Sequence, residues 1–211
     1  MKKLLIAVTL SLPLLASANL LTNGSFELGL TNWTTTTTAG TIYPITTPLY
    51  NVLPGAFGEI VPTDNAISQS TDAAGMRFAY FVDDLAVQTL SQSFTITSPG
   101  EYNMGFSFYV PSNGAANAGD ASFFVNFAGG LTSTELVSFM PVAAWQTVNN
   151  VVNLAAGTYN FSFTFTTLGG ESKDLSLDRV YVTAVPEPGT YAMFLAGLGV
   201  VGLIAMRRRQ N

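Results

Sequence analysis

The regular alternation of aromatic and polar side chains constrains the fold of this chain more than any other feature. From Tyr159 to Phe165, rings at every second position alternate with Asn, Ser and Thr. Segments from Tyr102 to Val110 and from Phe123 to Phe127 show the same pattern. Because alternate residues of a strand point to opposite faces, each segment predicts a strand with one buried and one wet face. Such strands are typical of an all-β antiparallel sandwich.

A weak internal repeat extends this prediction. The segments at 99–108 and 156–165 share a Gly-x-Tyr-Asn opening followed by apolar alternation, and an apolar strand precedes each. We therefore expect two hairpins that face each other across a jelly-roll core, although chance similarity between hairpins would give the same pattern. Further strands are predicted at Leu20 to Glu27, Met76 to Val82, Leu85 to Ile96, Thr134 to Phe139 and Leu175 to Ala184.

The N-terminus has the order of a secretory signal peptide. Lys2 and Lys3 precede an apolar run at 4–15, and Ala16 and Ala18 supply the small residues that signal peptidase requires. We predict a signal peptide at 1–18, with cleavage before Asn19. An uncleaved anchor is the alternative. The sandwich domain is then expected at 19–184.

The C-terminus carries a second segment of targeting character. A short motif at 185–188 precedes an uncharged apolar run at 189–206, and a basic cluster at 207–209 follows. The motif consists of Val185, Pro186, Glu187 and Pro188. The cluster consists of Arg207, Arg208 and Arg209. As a helix, the run would be roughly 27 Å long, which is enough for a transmembrane helix. Arginines remain on the cytoplasmic side, so the N-terminal body would face outward. The prolines keep the approach to the helix extended, as a processing enzyme would need.

This order of motif, apolar run and arginines resembles the PEP-CTERM sorting signal of exopolysaccharide-producing Gram-negative bacteria. The sorting signal would span 185–211, and the resemblance implies that an exosortase, an integral-membrane protease, recognises its Pro-Glu-Pro motif and cleaves nearby. The helix would then be a temporary anchor in the inner membrane. A plain C-terminal membrane anchor with a proline-containing stalk is the alternative.

Charge and composition exclude some partners for residues 19–185, which we call the body of the chain. Residues 19–185 hold three basic and twelve acidic residues, a net charge of −9. This balance argues against nucleic acid as a partner, because no basic stripe is present to neutralise phosphates. The chain has no cysteine, so stability must come from the burial of a core, with a metal ion as a further contribution.

Both ends of the body resemble the galactose-binding-like jelly rolls that include several carbohydrate-binding modules. The resemblance lies in Asn23-Gly24-Ser25-Phe26-Glu27 leading to Trp33, and in Asp178 before a Val-x-Val run. It implies a structural calcium ion, with Glu27 and Asp178 as ligands. Independently, strand parity places Asp178 with the inward valines unless a bulge intervenes, and a buried carboxylate needs a partner. A solvated Asp178 beside Arg179 is the alternative.

A sugar-binding platform would need exposed aromatic rings. Residues 32–71, rich in threonine and proline, are predicted to form long loops with one or two edge strands, and loops of this kind often bind ligands. The candidates are Trp33, Tyr43, Tyr50 and Trp145. Rings in a sandwich more often belong to the core.

Enzyme chemistry has little support in the sequence. Histidine and cysteine are both absent, which removes the usual general base and thiol nucleophile. The adjacent pair Asp83 and Asp84 is expected to be a solvated turn. We therefore expect an exported, non-enzymatic protein of the cell surface or extracellular matrix, associated with exopolysaccharide or biofilm. A lectin-like module that binds a defined glycan through the 32–71 loops is the alternative, and a hydrolase is the third.

Overall fold

The computed structural model describes residues 18–38, 40–53, 59–63, 75–127, 131–186 and 188–208. Residues 1–17 of the predicted signal peptide, Ala16 included, lie outside the described residues, as do Glu187 and Arg209. The chain divides into two compact units, of which Ala18–Val185 is the larger.

The larger unit is an antiparallel β-sandwich, as predicted. Its elements are β1 (Thr34–Thr37), β2 (Ala79–Phe81), β3 (Val87–Ile96), β4 (Gly100–Tyr109), α1 (Ser112–Ala116), β5 (Ala121–Phe127), β6 (Leu131–Leu136), a 3-10 turn (Val137–Phe139), β7 (Gln146–Leu154), β8 (Gly157–Thr167) and β9 (Leu175–Ala184). The described strands form a five-stranded sheet of order β1-β3-β8-β5-β6 and a four-stranded sheet of order β2-β9-β4-β7. A separate helix, α2, spans Pro188–Arg208.

The aromatic alternation builds the core between the two sheets. Phe161, Phe163 and Phe165 of β8 are fully buried, and Phe123 and Phe106 pack against Phe163 from β5 and β4. Ring centroids lie 5.1 Å apart for Phe106 and Phe163 and 5.7 Å apart for Phe123 and Phe163. Such contacts add to the free energy gained by burying the rings.

The two repeats do not form hairpins. β3 and β4 lie in different sheets, and so do β7 and β8; β3 pairs with β8, and β4 pairs with β7. Each repeat is therefore an arch that crosses from one sheet to the other. The physical reason is that two strands with aromatic faces bury those faces best against an opposing sheet. The hairpin prediction is wrong at this point.

The equivalent tyrosines of the two repeats fasten the arches. The Tyr102 hydroxyl donates a hydrogen bond to Ser98 O at 2.6 Å, and the Tyr159 hydroxyl donates one to Ala155 O at 3.0 Å. Each bond reaches back four residues across the arch. The shared Gly-x-Tyr-Asn opening thus has a common structural role.

The predicted strand at Leu20 to Glu27 is absent from the structure. This segment consists of turns, with a positive φ of 55° at Asn23 and 56° at Phe26. Asn23 closes the loop with its side chain, because its Nδ2 donates to Gly29 O and its Oδ1 accepts from Leu28 N. Asn-Gly favours such turns over a strand. The strands predicted at Met76 to Val82 and Leu85 to Ile96 hold with shifted ends, and the one at Leu175 to Ala184 holds at both ends. The strand predicted at Thr134 to Phe139 ends at Leu136, where a 3-10 turn follows, and β1 is the expected edge strand within 32–71.

The outward face of the five-stranded sheet is uncharged. It consists mainly of Ser, Thr and Asn side chains, and we call it the hydroxyl face: Thr34, Thr36, Val87, Thr89, Ser91, Ser93, Thr95, Ser122, Phe124, Asn126, Thr132, Thr134, Leu136, Thr158, Asn160, Ser162, Thr164 and Thr166.

Candidate functional site

The sorting motif begins directly where the sandwich ends. β9 ends at Ala184, and the Val185 amide donates to Glu101 O at 2.8 Å. Pro186, the next residue, has no amide proton to donate. Val185 therefore makes the last of these backbone bonds, and cleavage after it would leave every strand of the sandwich intact.

The C-terminal unit contains α2, which covers the predicted run at 189–206 and extends to Arg208. Arg207 is exposed near its end, and Pro188 opens it. A helix that opens on proline is expected, because the missing amide proton is not needed in the first turn. Among the residues that the structure describes, no helix reaches the combined length and hydropathy of a membrane span. Membrane insertion of 189–206 stays a prediction.

Asn19, the predicted first residue of the exported protein, is part of the fold. Its side chain extends the edge of β9, because Nδ2 donates to Val180 O at 3.0 Å and Oδ1 accepts from Val182 N at 2.9 Å. Leu20 N donates to Val182 O at 2.8 Å. Ala18, one residue earlier, is exposed. Cleavage before Asn19 would thus keep all of these contacts.

Part of the outward face of the four-stranded sheet, near β2 and the end of β4, is buried by a second aromatic cluster. We call this part of the sheet, together with the cluster that covers it, the covered face. The buried residues of the cluster are Tyr50, Val61, Phe78, Tyr80, Val82 and Tyr109, and Tyr43 and Trp145 pack against them. The cluster separates two aspartates from solvent: Asp178, which is in β9, and Asp174, which directly precedes β9.

Asp178 is buried, but it does not point into the core with the valines. Ser107 pairs with Asp178 while Gly105 pairs with Tyr181, so β9 holds one extra residue, a bulge, at this point. Arg179 takes up the bulge with a φ of +51°. Because a bulge inserts one extra residue, the residues before it point to the opposite face from the one that simple alternation predicts. Asp178 therefore points away from the core and toward the covered face, where it accepts a hydrogen bond from the Tyr50 hydroxyl.

Asp174 forms a second buried carboxylate–phenol pair. The Tyr80 hydroxyl donates to Asp174 Oδ2 at 2.7 Å. Burial raises the pKa of Asp174 to about 7 although the Tyr80 bond opposes this, and the charges of Asp84 and Glu59 raise it further. Burial, then the charge of Asp174, raises the pKa of Tyr80. This pair was missed at the sequence level, where only the alternation around Tyr80 could have indicated it.

Glu27 lies at the surface and has its own partners. Its Oε1 accepts hydrogen bonds from Met76 N and Arg77 N, both at 2.8 Å. Glu27 and Asp178 thus have different described partners, one on the surface and one beneath the covered face. The described residues contain no group of three acids that could hold a metal ion. Calcium at Glu27 and Asp178 stays a prediction, tested by comparing the melting temperature with and without EDTA.

The four candidate rings for sugar stacking occupy different environments. Trp33 is buried in the core beside Phe26, and its Nε1 donates to Asn23 O at 3.0 Å. Tyr50 is buried beneath the covered face. A stacking platform needs an exposed ring, which neither residue offers. Tyr43 and Trp145 are partly exposed, and Trp145 Nε1 donates to Pro62 O at 2.7 Å.

The acidic residues act largely as acceptors for loop backbone. Asp83 is buried, not solvated as expected, and its Oδ2 accepts from Ile42 N and Tyr43 N at 2.6 and 2.8 Å. Asp84 accepts from Ser172 N at 2.7 Å. Each member of this pair therefore fixes a different segment of the chain.

A cavity of about 210 Å³ lies between the sheets near β6 and β7. Its walls are mainly apolar, and they include Phe106, Phe108, Phe123, Phe127, Met140 and Val148, with Ser133 and Glu135 among the few polar residues. Burial of a sugar ring there would leave most of its hydroxyls without partners, which is costly.

Comparison with known proteins identifies the C-terminal segment. Residues 184–209 match the family described as the PEP-CTERM protein-sorting motif. The chain carries a PEP-CTERM sorting motif. The match begins at the last residue of β9, which agrees with the boundary between the sandwich and the sorting segment. No curated protein matches the chain.

The structural neighbours of the PEP-CTERM chain include carbohydrate-binding-module β-sandwich domains. TmCBM61, solved in complex with β-1,4-galactotriose, aligns with a TM-score of 0.53 and 16% identity over 80% of this chain and 100% of that one. A family 16 carbohydrate-binding module aligns with a TM-score of 0.46 and 14% identity, over 78% and 99%. The K3 adhesin domain of Lys-gingipain from Porphyromonas gingivalis aligns with a TM-score of 0.49 and 17% identity, over 80% and 99%. At these identities, the alignment with TmCBM61 shows the fold alone.

Proposed function

We propose that this chain is an exported, non-enzymatic surface protein whose sandwich is released into a polysaccharide-rich extracellular matrix, or biofilm, after an exosortase-like protease processes its C-terminus. The observation that carries the proposal is the position of the PEP-CTERM motif at 184–209, which begins at the last residue of β9. Processing at that point separates a complete fold from the helix.

The two ends of the sandwich support a coupled route of export. Asn19 and Leu20 bond to β9 at Val180 and Val182, and the motif leaves the same strand at Ala184. In the proposal, signal peptidase cleaves before Asn19, and α2 then holds the chain in the inner membrane until the exosortase acts. The first cut would keep the contacts of Asn19, and a second cut after Val185 would keep its bond to Glu101 O.

The net charge of the body is compatible with a location in an extracellular matrix. Its net charge of −9 favours solubility and disfavours adsorption to anionic membranes or nucleic acid. The carbohydrate-binding-like fold supports a polysaccharide as the matrix partner. A defined glycan, as bound by TmCBM61, is the second candidate, and the sandwich fold shared with that module favours it.

Fractionation of isogenic hosts with and without the exosortase gene tests the proposal. With the gene, we expect the sandwich in the surface or medium fraction, shortened at both ends. Without it, we expect a longer form that sediments with the inner membrane. A chain found in the cytosol of both hosts would contradict the proposal.

A further inference from the structure

The hydroxyl face lacks the charges that soluble proteins place on a wet sheet. About a quarter of the residues of an average domain are charged, and charged side chains on sheets also discourage aggregation. The sandwich itself has fifteen charged residues between positions 19 and 185. None lies on the outward face of the described strands of the five-stranded sheet. The described part of this face therefore offers hydroxyl and amide groups, without a fixed charge, to a partner.

The register aligns the side chains of this face into rows that cross the whole sheet. One row contains Thr34, Ser91, Ser162, Asn126 and Thr132 from β1, β3, β8, β5 and β6 in spatial order. With strands about 4.8 Å apart, the row is roughly 19 Å long. Hydroxyl and amide groups both donate and accept hydrogen bonds, so the row can match a chain of hydroxyl groups.

The neighbouring row contains the aromatic ring of the face. It consists of Thr36, Thr89, Thr164, Phe124 and Thr134. Phe124 is partly exposed, whereas Phe123, Val125 and Phe127 of the same strand are buried in the core. A ring flanked by hydroxyl groups offers an apolar surface for the C–H face of a sugar and polar partners for its edge.

We propose that the hydroxyl face binds a neutral polysaccharide chain, with Phe124 as the stacking ring. This inference rests on the proposed function and names the ligand class and site. Charge selects the neutral class: an acidic polysaccharide would be repelled by a body of net charge −9 and would find no Lys or Arg on the described strands of this face.

Affinity gel electrophoresis of the full chain in a polyoxyethylene detergent tests the inference. The probes are galactan, mannan and dextran as neutral polysaccharides and alginate as an acidic one. We expect at least one neutral polysaccharide, but not alginate, to slow the wild-type protein. Phe124→Ala and Ser162→Glu should weaken that binding about tenfold or more, because the first removes the ring contact and the second places a hydrated carboxylate in the hydroxyl row, which a neutral sugar would have to desolvate.

Matched variants on the other sheet serve as controls. Val151→Ala and Asn149→Glu change exposed outward residues of β7 and should bind as the wild type does. Melting temperatures check that all four variants fold. Two outcomes would overturn the inference: equal binding by Phe124→Ala, Ser162→Glu and wild type, or retardation by alginate alone or by no probe.

Self-association through the hydroxyl face would also overturn it. Light scattering would then show a dimer that Ser162→Glu dissociates. In each of these cases, the fractionation experiment still decides the proposed route of export, because that route does not depend on the hydroxyl face.

Discussion

Tyr80 holds Asp174 with a hydrogen bond of 2.7 Å in a place where neither group reaches water. The pair lies beneath the covered face, whose aromatic residues belong to a cluster separate from the main core. A carboxylate in this position is costly when charged. The pair therefore links the stability of the sandwich to pH.

Asp174→Asn should remove a pH-dependent destabilisation. The pKa of Asp174 is raised to about 7, above its usual value of 3.8. Between these values the folded state binds more protons than the unfolded state, so this group lowers the free energy of unfolding as pH rises, and the loss is complete above about pH 7. Thermal unfolding at pH 4.5 and 8 should show the variant gaining about 3 °C or more relative to wild type at the higher pH.

The control for this prediction is Asp84→Asn, which removes a nearby carboxylate that binds a backbone amide. It should not reproduce the full change in pH dependence. Parallel pH profiles for wild type and Asp174→Asn would show that Asp174 titrates as it does in the unfolded chain.

The arch tyrosines should contribute unequally to stability. Tyr102→Phe removes a part-buried hydrogen bond to Ser98 O and should lower the free energy of unfolding by about 1 kcal/mol. Tyr159→Phe removes an exposed bond to Ala155 O and should cost less. Urea midpoints with unchanged slopes would measure both values. A larger loss for Tyr159→Phe would contradict the assigned burial.

Gly24 should not tolerate a side chain. A Cβ at this position would lie 2.0 Å from Val180 O, a backbone atom of β9, and Gly24 O accepts a hydrogen bond from Val180 N. Gly24→Ala should therefore lower stability by about 1–3 kcal/mol. Gly100→Ala is the matched control, because a Cβ there meets nothing within 4 Å. Equal melting temperatures for the two variants would show that the N-terminal segment does not pack on β9.

The sequence could predict the sandwich because its alternation has a period of two, which sets buried and wet faces directly. It also predicted β9 at its observed ends, Leu175 and Ala184. It could not predict that β3 and β4 lie in different sheets, because a short glycine turn is compatible with a hairpin and with an arch. That choice depends on which sheet the aromatic faces meet.

The candidate site was less predictable, for a local reason. One extra residue at Arg179 reverses the facing of Asp178, and no sequence signal marks the bulge. The partners of Asp178 and Asp174, Tyr50 and Tyr80, are distant in the sequence. The sorting segment was predictable because its motif, apolar run and arginines are contiguous.

The prolines of the motif should be required for processing. In Pro186→Ala/Pro188→Ala, two backbone donors return and φ is no longer fixed at either position, so the motif loses its bias toward an extended conformation. We expect the unprocessed chain to accumulate in the membrane fraction of a host that has an exosortase, as seen by immunoblot. Gln210→Ala, beyond the matched motif, should be processed normally. Normal processing of the double variant would show that the prolines are not read.

The intact mass of the exported protein tests the central claim most directly. The account predicts a chain that begins at Asn19 and ends within or next to 185–188, with the sandwich complete and α2 removed. A surface protein that retains 189–206, or a chain that keeps Met1 and remains in the cytosol, would contradict it.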